Sequence, residues 1–526
     1  MKKVREFFSH LSQEIQFTPF LRKAGTVLGA VLFIVSLINI AAPLYETRAT
    51  KGIVFAKDND AGRGIQTATL TRWWNSNHFA PYGNVYFRVA HTIATLTPTL
   101  VTDDLVPDEQ IEVRHHFALL LTSLFFLSAL CLFLAFLLTG SLTGTFWVGT
   151  VFLHLGIIDP TWVEFLFRVH PDHALMFMCA VSAYFTLKYT KTRSDNDFIR
   201  AALMWGLATA VKRSTILFIP SFLYLFLADG VNRQSLMKGL KFVGYMLVSY
   251  LIIGFPQNFG FFKHIWFMYI ETFNSLPATK ESILDYLGLM THQSVWIISG
   301  IVVFHLLFGK QENLINRRFS IFTVIALLVV LASNMKTSHN HHIMPHVALI
   351  LIFAIALVKS LPVLNFPRKN LFLIISSAVA LFFLSGLDQT LLAERNKQLE
   401  CRPEIRQALT IVGNFQKEGK RLIRDPYFPF STRYNKETKQ IWGVNGEILD
   451  KENAYLWGTQ RTFLRSLQEK PYRPHIYPDL TLEQWNAKVA LTYVARKDSA
   501  FSTPAGVVFE KIYADACGYM IWKRKE

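Results

Sequence analysis

The sequence predicts a polytopic α-helical membrane protein of about eleven transmembrane helices, followed by a soluble α/β domain. Three observations predict this fold class. Of the 526 residues, 51% are hydrophobic and only 17% are charged, whereas a soluble globular protein carries about 25% charged residues. Apolar runs of membrane-spanning length recur up to about residue 386, and basic residues collect between alternate runs. The composition excludes a disordered chain, a fibrous protein and an ordinary soluble enzyme.

The predicted spans follow from apolar length, since crossing a bilayer takes about 20 residues. The first runs from about Ala24 to Leu44. It is too long for a signal-peptide core of about 7–15 residues, so we expect it to be retained. The further candidate spans are 116–139, 142–158, 172–188, 198–211, 214–229, 240–256, 293–309, 319–334, 343–360 and 370–386.

The orientation follows from the basic residues. With the N-terminus inside, the inner segments are 1–23, 139–142, 189–198, 230–240, 310–318 and 360–370. All of them are basic except the tight 139–142 turn, as the positive-inside rule requires. The net charge of +17 is thus explained by membrane anchoring, and we expect no nucleic-acid partner. The outer segments are 45–115, 159–171, 212–213, 257–292, 335–342 and everything after Leu387.

The chain divides at about residue 386 into a membrane domain (1–386) and a polar outer domain (387–526). In the outer domain we predict helices at 403–418 and 460–469 and strands at 488–494, 507–512 and 518–522. Cys401 and Cys517 bracket nearly all of it. They either form a disulfide in an oxidising compartment or remain two thiols. A disulfide would stabilise the domain by at most about 4–5 kcal/mol.

An acidic motif lies in the first outer segment, 45–115. Asp58 and Asp60 precede Arg63, Arg72 and the Trp73–Trp74 pair, which suits a helix in the membrane interface. Asp60 then stands at the start of that helix. It either caps the helix or, together with Asp58, takes part in chemistry at the membrane surface.

Two further polar groups stand at outer ends of spans. Arg168, His170, Asp172 and His173 directly precede one span. Helix capping explains Asp172 but not the other three side chains. The second group is the pair Lys212–Arg213 in an outer turn, which is either an anion site, as for a lipid phosphate, or a pair of cations reaching the headgroups.

A histidine-rich segment precedes the span at 343–360. It contains Lys336, His339, His341, His342 and, inside the span, His346. The spacing matches no closed zinc motif, so we predict no metal site here. A polar lining for a phosphate or a sugar is the interpretation that we favour, and simple interfacial solvation is the alternative.

The order of these motifs and their common location on the outer side of the membrane resemble the GT-C superfamily of integral-membrane glycosyltransferases. The resemblance is greatest to the branch of protein O-mannosyltransferases and lipid A aminoarabinose transferases. Asp60-Ala61-Gly62-Arg63-Gly64 stands where that branch has Asp-Glu followed by an aromatic residue. The Glu is absent here, and Asp58 is the carboxylate that can replace it. Arg168-Val169-His170-Pro171-Asp172 is similar to an Arg-x-x-Pro-Asp start of a span. Gly206-Leu207-Ala208-Thr209-Ala210-Val211-Lys212-Arg213 is similar to a Gly-Leu-Ala…Lys segment, and His342-Ile343-Met344-Pro345 to a Tyr-x-x-Pro entry.

The resemblance covers the layout of residues 1–386 and implies a polyprenyl-phosphate-linked sugar as donor. It also implies that the acceptor is a hydroxyl of a lipid, a glycan or a protein, and that transfer inverts the configuration at the anomeric carbon. It implies Asp60 as general base, with Asp58 next. The cations and histidines expected at the donor phosphate are Lys212, Arg213, Lys336, His339 and His342. The residues expected at the substrates are Arg63, Arg72, Arg168, His170, Asp172, His341 and His346.

No cofactor is required, because the sugar arrives on a lipid and no Gly-rich phosphate loop is present. An Asp58-x-Asp60 pair nevertheless admits a divalent cation. The topology fits a bacterial inner membrane with the site and the outer domain in the periplasm. It fits the endoplasmic reticulum equally well.

Three other classes remain open. An outer-face polysaccharide polymerase or ligase would place its large outer loop late in the chain, whereas here the acidic loop follows the first span. A transporter would carry ionisable residues at mid-span and internal repeats. A scaffold or receptor would leave the acidic and basic motifs of the membrane domain without a role.

Overall fold

The computed structural model describes the helices and strands of the chain and part of their connections. The described residues are 19–47, 68, 83–97, 107–212, 215, 218–228, 230–253, 314–334, 344–360, 369–384, 389–399, 407, 410–411, 414, 422–424, 434–435, 440–441, 489–492, 499–502, 508–514 and 520–525.

Helices form most of the described part of the membrane domain. In chain order they are α1 (Pro19–Thr47), α2 (Asn84–Leu96), α3 (Pro107–Thr139), α4 (Leu142–Ile158), α5 (Pro160–Phe167), α6 (Asp172–Thr192), α7 (Asp195–Val211), α8 (Ile219–Leu227), α9 (Arg233–Ile253), α10 (Leu314–Asn334), α11 (Met344–Ser360), α12 (Lys369–Leu384) and α13 (Gln389–Leu399).

The helices fall where the apolar runs predict spans. Among the described residues, three helical stretches are long and apolar enough to cross a membrane: Arg22–Thr47, Arg114–Thr139 and Arg233–Ile253. Leu142–Ile158 and Val347–Ala356 are shorter apolar helices. The chain is thus a polytopic membrane protein. The predicted span at 293–309 lies outside the described residues.

Two helices differ from the prediction. Among the described residues of the run at 214–229, the α-helix is the nine-residue α8, and Pro220 in its first turn marks the helix start. The outer segment 159–171 contains the short helix α5. The carboxylate of Asp159 accepts a hydrogen bond from the backbone N–H of Trp162 at 3.3 Å and so begins this helix.

Helix α6 lies at the centre of the bundle and packs against α3, α7, α10 and α11. An aromatic cluster fills the space beside it, where the Trp205 ring lies 4.8 Å from Phe218 and 5.1 Å from Phe222 between ring centroids. The Trp205 indole donates to Thr186 Oγ1 on α6 at 3.0 Å, so this buried N–H group is satisfied. A second cluster joins α1, α3, α4, α5 and α13.

Helices α7 and α9 approach each other so closely that only glycine fits at Gly206. A Cβ there would lie 2.2 Å from the carbonyl oxygen of Met246 and 2.9 Å from Ser249 Cβ. Ser249 Oγ also donates to the Leu203 carbonyl at 2.9 Å across the same contact. The contact therefore depends on both a missing side chain and an interhelical hydrogen bond.

We expect Gly206→Ala to destabilise the protein by about 1–3 kcal/mol, because the added methyl group forces α7 and α9 apart. Gly244→Ala on α9 is the matched control, since a Cβ there meets nothing within 4 Å. It should leave stability unchanged or raise it by up to about 1 kcal/mol through helix propensity. Thermal unfolding of the two variants in detergent micelles measures the difference, and equal unfolding temperatures would contradict the close contact.

Seven short strands are described in the C-terminal part: β1 (Leu422–Arg424), β2 (Tyr434–Asn435), β3 (Gln440–Ile441), β4 (Val489–Thr492), β5 (Ala500–Ser502), β6 (Val508–Ala514) and β7 (Met520–Arg524). Five form one sheet in the order β1-β4-β7-β6-β5, in which only the β1–β4 pair is parallel. β4, β6 and β7 coincide with the three predicted strand runs. Within the predicted helix 403–418, residues 407, 410, 411 and 414 are helical. Cys401, Cys517 and the predicted helix at 460–469 lie outside the described residues.

Candidate active site

A buried acid, a lysine and a histidine meet at one end of the bundle. The Lys212 ammonium lies 2.8 Å from Asp172 Oδ1, and His170 Nδ1 lies 2.7 Å from Asp172 Oδ2. All three side chains are almost fully buried. Burying charge is costly unless opposite charges and hydrogen bonds compensate it, so the contacts hold the Asp172 carboxylate between a cation and an imidazole. The structure thus brings together residues from two polar groups that lie apart in the sequence.

The ends of two antiparallel helices place this cluster. Asp172 is the first residue of α6, where a carboxylate complements the positive end of the helix dipole. Lys212 is the residue directly after α7, and its backbone is extended. Its N–H group donates a hydrogen bond to the Ala208 carbonyl at 3.1 Å. Pro171 stands at the N-cap of α6, so His170 belongs to the segment that leads into the helix.

The first outer segment is attached directly beside Lys212. The backbone N–H of Gly83, just before α2, donates to the Val211 carbonyl at 2.9 Å. A Cβ on Gly83 would lie 1.5 Å from the carbonyl oxygen of Ala210, so only glycine permits this approach. The first outer segment is therefore anchored at Gly83 to the end of α7.

Tyr86 connects α2 to α3 beneath the cluster. Its hydroxyl donates to the Leu119 carbonyl at 3.0 Å and lies 2.9 Å from Ser123 Oγ. Ser123 in turn reaches the His170 carbonyl at 3.5 Å. Burial raises the pKa of the Tyr86 phenol far above its ordinary value, so Tyr86 stays neutral. We interpret it as a positioning residue for the segment before α6.

A second polar group lines α2 and the start of α3. The rings of His91 and His115 stack with centroids 5.7 Å apart, and His116 and Arg88 are buried next to them in sequence. The Arg88 guanidinium donates to the Ile253 carbonyl at the end of α9. The sequence analysis missed this group, although Arg114-His115-His116 at the entry to an apolar run is a signal of the same kind as Arg168–His173.

Arg168, which the sequence groups with His170 and Asp172, does not join the cluster. Arg168 pairs with Glu164 one turn earlier on α5 and lies over the Phe165 ring at 5.8 Å. His346 lies in α11, and its side chain is not described. Outside the described residues are Asp58, Asp60, Arg63, Arg72, Arg213, Lys336, His339, His341 and His342. Within the described ranges, no three His, Cys, Asp or Glu side chains are arranged to hold a metal ion.

Two comparisons place the chain among known proteins. Residues 111–256 match the family described as dolichyl-phosphate-mannose-protein mannosyltransferase, and this segment contains His170, Asp172 and Lys212. The fold matches the crystal structure of ArnT from Cupriavidus metallidurans bound to undecaprenyl phosphate, with a TM-score of 0.51 at 10% identity. The match covers 93% of this chain and 97% of that chain. The chain is thus similar to GT-C glycosyltransferases, in sequence over residues 111–256 and in its fold.

At 10% identity, the match to ArnT establishes a similar fold and nothing further. ArnT in the apo state is similar at 12% identity and a TM-score of 0.49, over 94% of this chain and 98% of that chain. No curated protein matches the sequence. The predicted resemblance to the GT-C superfamily is thus confirmed, whereas the assignments of individual site residues stay predictions.

Proposed function

We propose that this protein transfers a sugar from a polyprenyl-phosphate lipid to an acceptor hydroxyl at the outer face of the membrane, with inversion. The buried Asp172–Lys212 pair at the end of the bundle carries the proposal. It lies inside the segment that matches the mannosyltransferase family. The similar ArnT structure has undecaprenyl phosphate bound, which is the donor chemistry that a membrane-embedded cation suits.

In the proposed reaction, the acceptor oxygen attacks the anomeric carbon while the bond from that carbon to the phosphate oxygen breaks. Asp60, or Asp58 in its place, takes the acceptor proton. The negative charge develops on the departing lipid phosphate, where fixed cations stabilise the transition state more than the ground state. Asp172 holds the Lys212 ammonium in place at the end of α7, where Gly83 of the first outer segment is bound. Arg213, the next residue in the sequence, is the second cation of the proposal.

The remaining predicted residues have supporting roles in this proposal. Lys336, His339 and His342 approach the donor phosphate from the segment before α11. Arg63, Arg72, Arg168, His170, His341 and His346 contact the sugar or the acceptor. The acceptor is a lipid, a glycan or a protein, and we place the site and the C-terminal domain on the periplasmic side of a bacterial inner membrane. A divalent cation held by Asp58 and Asp60 is compatible with the same chemistry.

Sugar transfer in proteoliposomes tests the proposal. Purified protein is supplied with a panel of polyprenyl-phosphate sugars and with lipid, glycan and peptide acceptors. We expect release of polyprenyl monophosphate and a product of inverted anomeric configuration. Arg200→Gln, at the opposite end of α7, is the control and should transfer at the wild-type rate. A glycan that grows on its lipid carrier would instead support a polymerase, and activity unchanged by chelation would exclude the divalent cation.

A further inference from the structure

A second polar site lies at the other end of α6, far from the candidate active site. Helix α6 has 21 residues, which separates its two ends by about 30 Å. A cavity of about 400 Å³ opens there between α6, α7, α9 and α10. Its charged lining consists of Arg193, Lys238, Lys241 and Arg318 with the single acid Asp195. The lining therefore carries a net charge of about +3 and suits an anion.

The backbone at Arg193 is held in an uncommon conformation that aims a cation at this cavity. Arg193 is the residue after α6 and has φ 55° and ψ 17°, in the left-handed region. Among the described residues it is the non-glycine residue with positive φ. Glycine is the residue that adopts this conformation without steric cost. An arginine here, with its guanidinium 5.7 Å from the centre of the Tyr189 ring, suggests a function for the side chain.

The turn that carries Arg193 is rigidly tied. Asp197 is buried and accepts a hydrogen bond from Thr192 Oγ1 at 2.8 Å, and the Lys188 ammonium lies 3.3 Å from its other oxygen. The Tyr189 and Phe198 rings pack edge to face at 5.3 Å between centroids and form an apolar wall of the cavity. The cations thus line a preformed cavity between helices and not a mobile loop.

An apolar strip leads away from the cavity along α9. Tyr245, Val248 and Ile252 follow Lys241 at spacings of four, seven and eleven residues, which places them on one edge of the helix. Their side chains are 38%, 50% and 67% exposed. A free inorganic anion has no apolar part that could contact this strip, whereas the acyl chain of an anionic lipid can pack along it.

We propose that this cavity binds the phosphate headgroup of an anionic glycerophospholipid from the leaflet opposite the candidate active site. By the charge pattern of the loops, this is the cytoplasmic leaflet. Basic cavities between transmembrane helices at this membrane surface suit anionic headgroups. Because the cavity joins α6, α7, α9 and α10, a bound lipid stabilises the packing of these four helices by mass action.

The test measures thermal unfolding of the full-length protein in neutral detergent with added phosphatidylglycerol, phosphatidylcholine or inorganic phosphate. We expect phosphatidylglycerol to raise the unfolding temperature by several degrees and the other two additives to leave it unchanged. Lys238→Gln/Lys241→Gln should weaken phosphatidylglycerol binding about 10–30-fold, since each cation near a membrane surface accounts for about one factor of five.

Two matched variants separate a specific site from diffuse charge. Arg193→Gly removes a lining cation yet accepts the left-handed backbone, so its fold is retained and its response to phosphatidylglycerol should fall. Arg233→Gln removes a cation from the first turn of α9 outside the lining and should respond like the wild type. An equal response of all variants, an equal stabilisation by inorganic phosphate, or no stabilisation by phosphatidylglycerol would each overturn the proposal. Sugar transfer is not part of the readout, so the result is independent of the proposed function.

Discussion

Replacing Asp60 by Asn should lower the rate of sugar transfer about 10²–10⁴-fold, which is the usual contribution of a general base. The amide has nearly the shape of the carboxylate but accepts no proton at neutral pH. Binding of the polyprenyl-phosphate donor should be retained, because the proposed phosphate contacts come from Lys212 and Arg213. Initial rates in proteoliposomes, with donor binding measured separately on the same preparation, check both expectations.

Asp58→Asn is the matched comparison for this prediction, since it removes the same charge two residues earlier in the same segment. We expect a smaller loss of rate than for Asp60→Asn. If only Asp58→Asn abolishes transfer, the glycosyltransferase proposal stands and the base is Asp58. Normal transfer by both variants would refute a catalytic role of the acidic motif and would favour the polymerase, ligase and transporter alternatives.

Separating the Lys212–Asp172 pair should destabilise the fold by about 3–5 kcal/mol, the usual cost of leaving one buried charge without its partner. Asp172→Asn leaves the Lys212 ammonium without its carboxylate, and Lys212→Met leaves the carboxylate without its ammonium. The double variant Asp172→Asn/Lys212→Met contains neither charge and should recover much of the lost stability. Thermal unfolding in detergent micelles of the four proteins gives the coupling energy directly.

Lys188→Met is the control for this cycle because it also removes a lysine that faces an aspartate. Lys188 is 40% exposed and 3.3 Å from Asp197, so its loss should cost less than about 1 kcal/mol. Additive effects of the Asp172 and Lys212 substitutions would contradict a coupled buried pair. A double variant that regains stability but transfers no sugar would separate the catalytic role of Lys212 from its structural one.

The positions of most helices were predictable from residue type alone. The predicted span 142–158 coincides with α4, and the bounds of the runs at 319–334, 343–360 and 370–386 differ from those of α10, α11 and α12 by at most five residues. Lipid imposes this correspondence, because a backbone surrounded by hydrocarbon satisfies its polar groups only within a helix or a closed barrel. The strand run at 488–494 contains β4, and the runs at 507–512 and 518–522 overlap β6 and β7, because alternating side chains mark a pleated strand.

Elements that depend on packing were less predictable. The short helix α5 has only eight residues, and its sequence did not distinguish it from a loop between two spans. Tyr86 reaches Ser123 and His91 stacks on His115 because α2 packs against α3. The polar residues before the apolar run of α3 are visible in the sequence, but their partners on α2 are not. Arg168 lies two residues before His170 in the sequence but pairs with Glu164 on α5, because the chain turns between Arg168 and His170.

By itself the sequence determined that this protein crosses the membrane repeatedly, which end of each helix is polar, and that the chain resembles the GT-C superfamily. These properties follow from the length and composition of local segments and from short motifs. The free energy of moving a segment from water to hydrocarbon depends on its own side chains. Only the tertiary structure decided that Asp172 is paired with Lys212, 40 residues away, and with His170. It also decided that Gly83 docks on the end of α7 and that four cations converge on a cavity at the opposite surface. Such contacts depend on how the helices pack against one another, and short stretches of sequence do not encode distances between them.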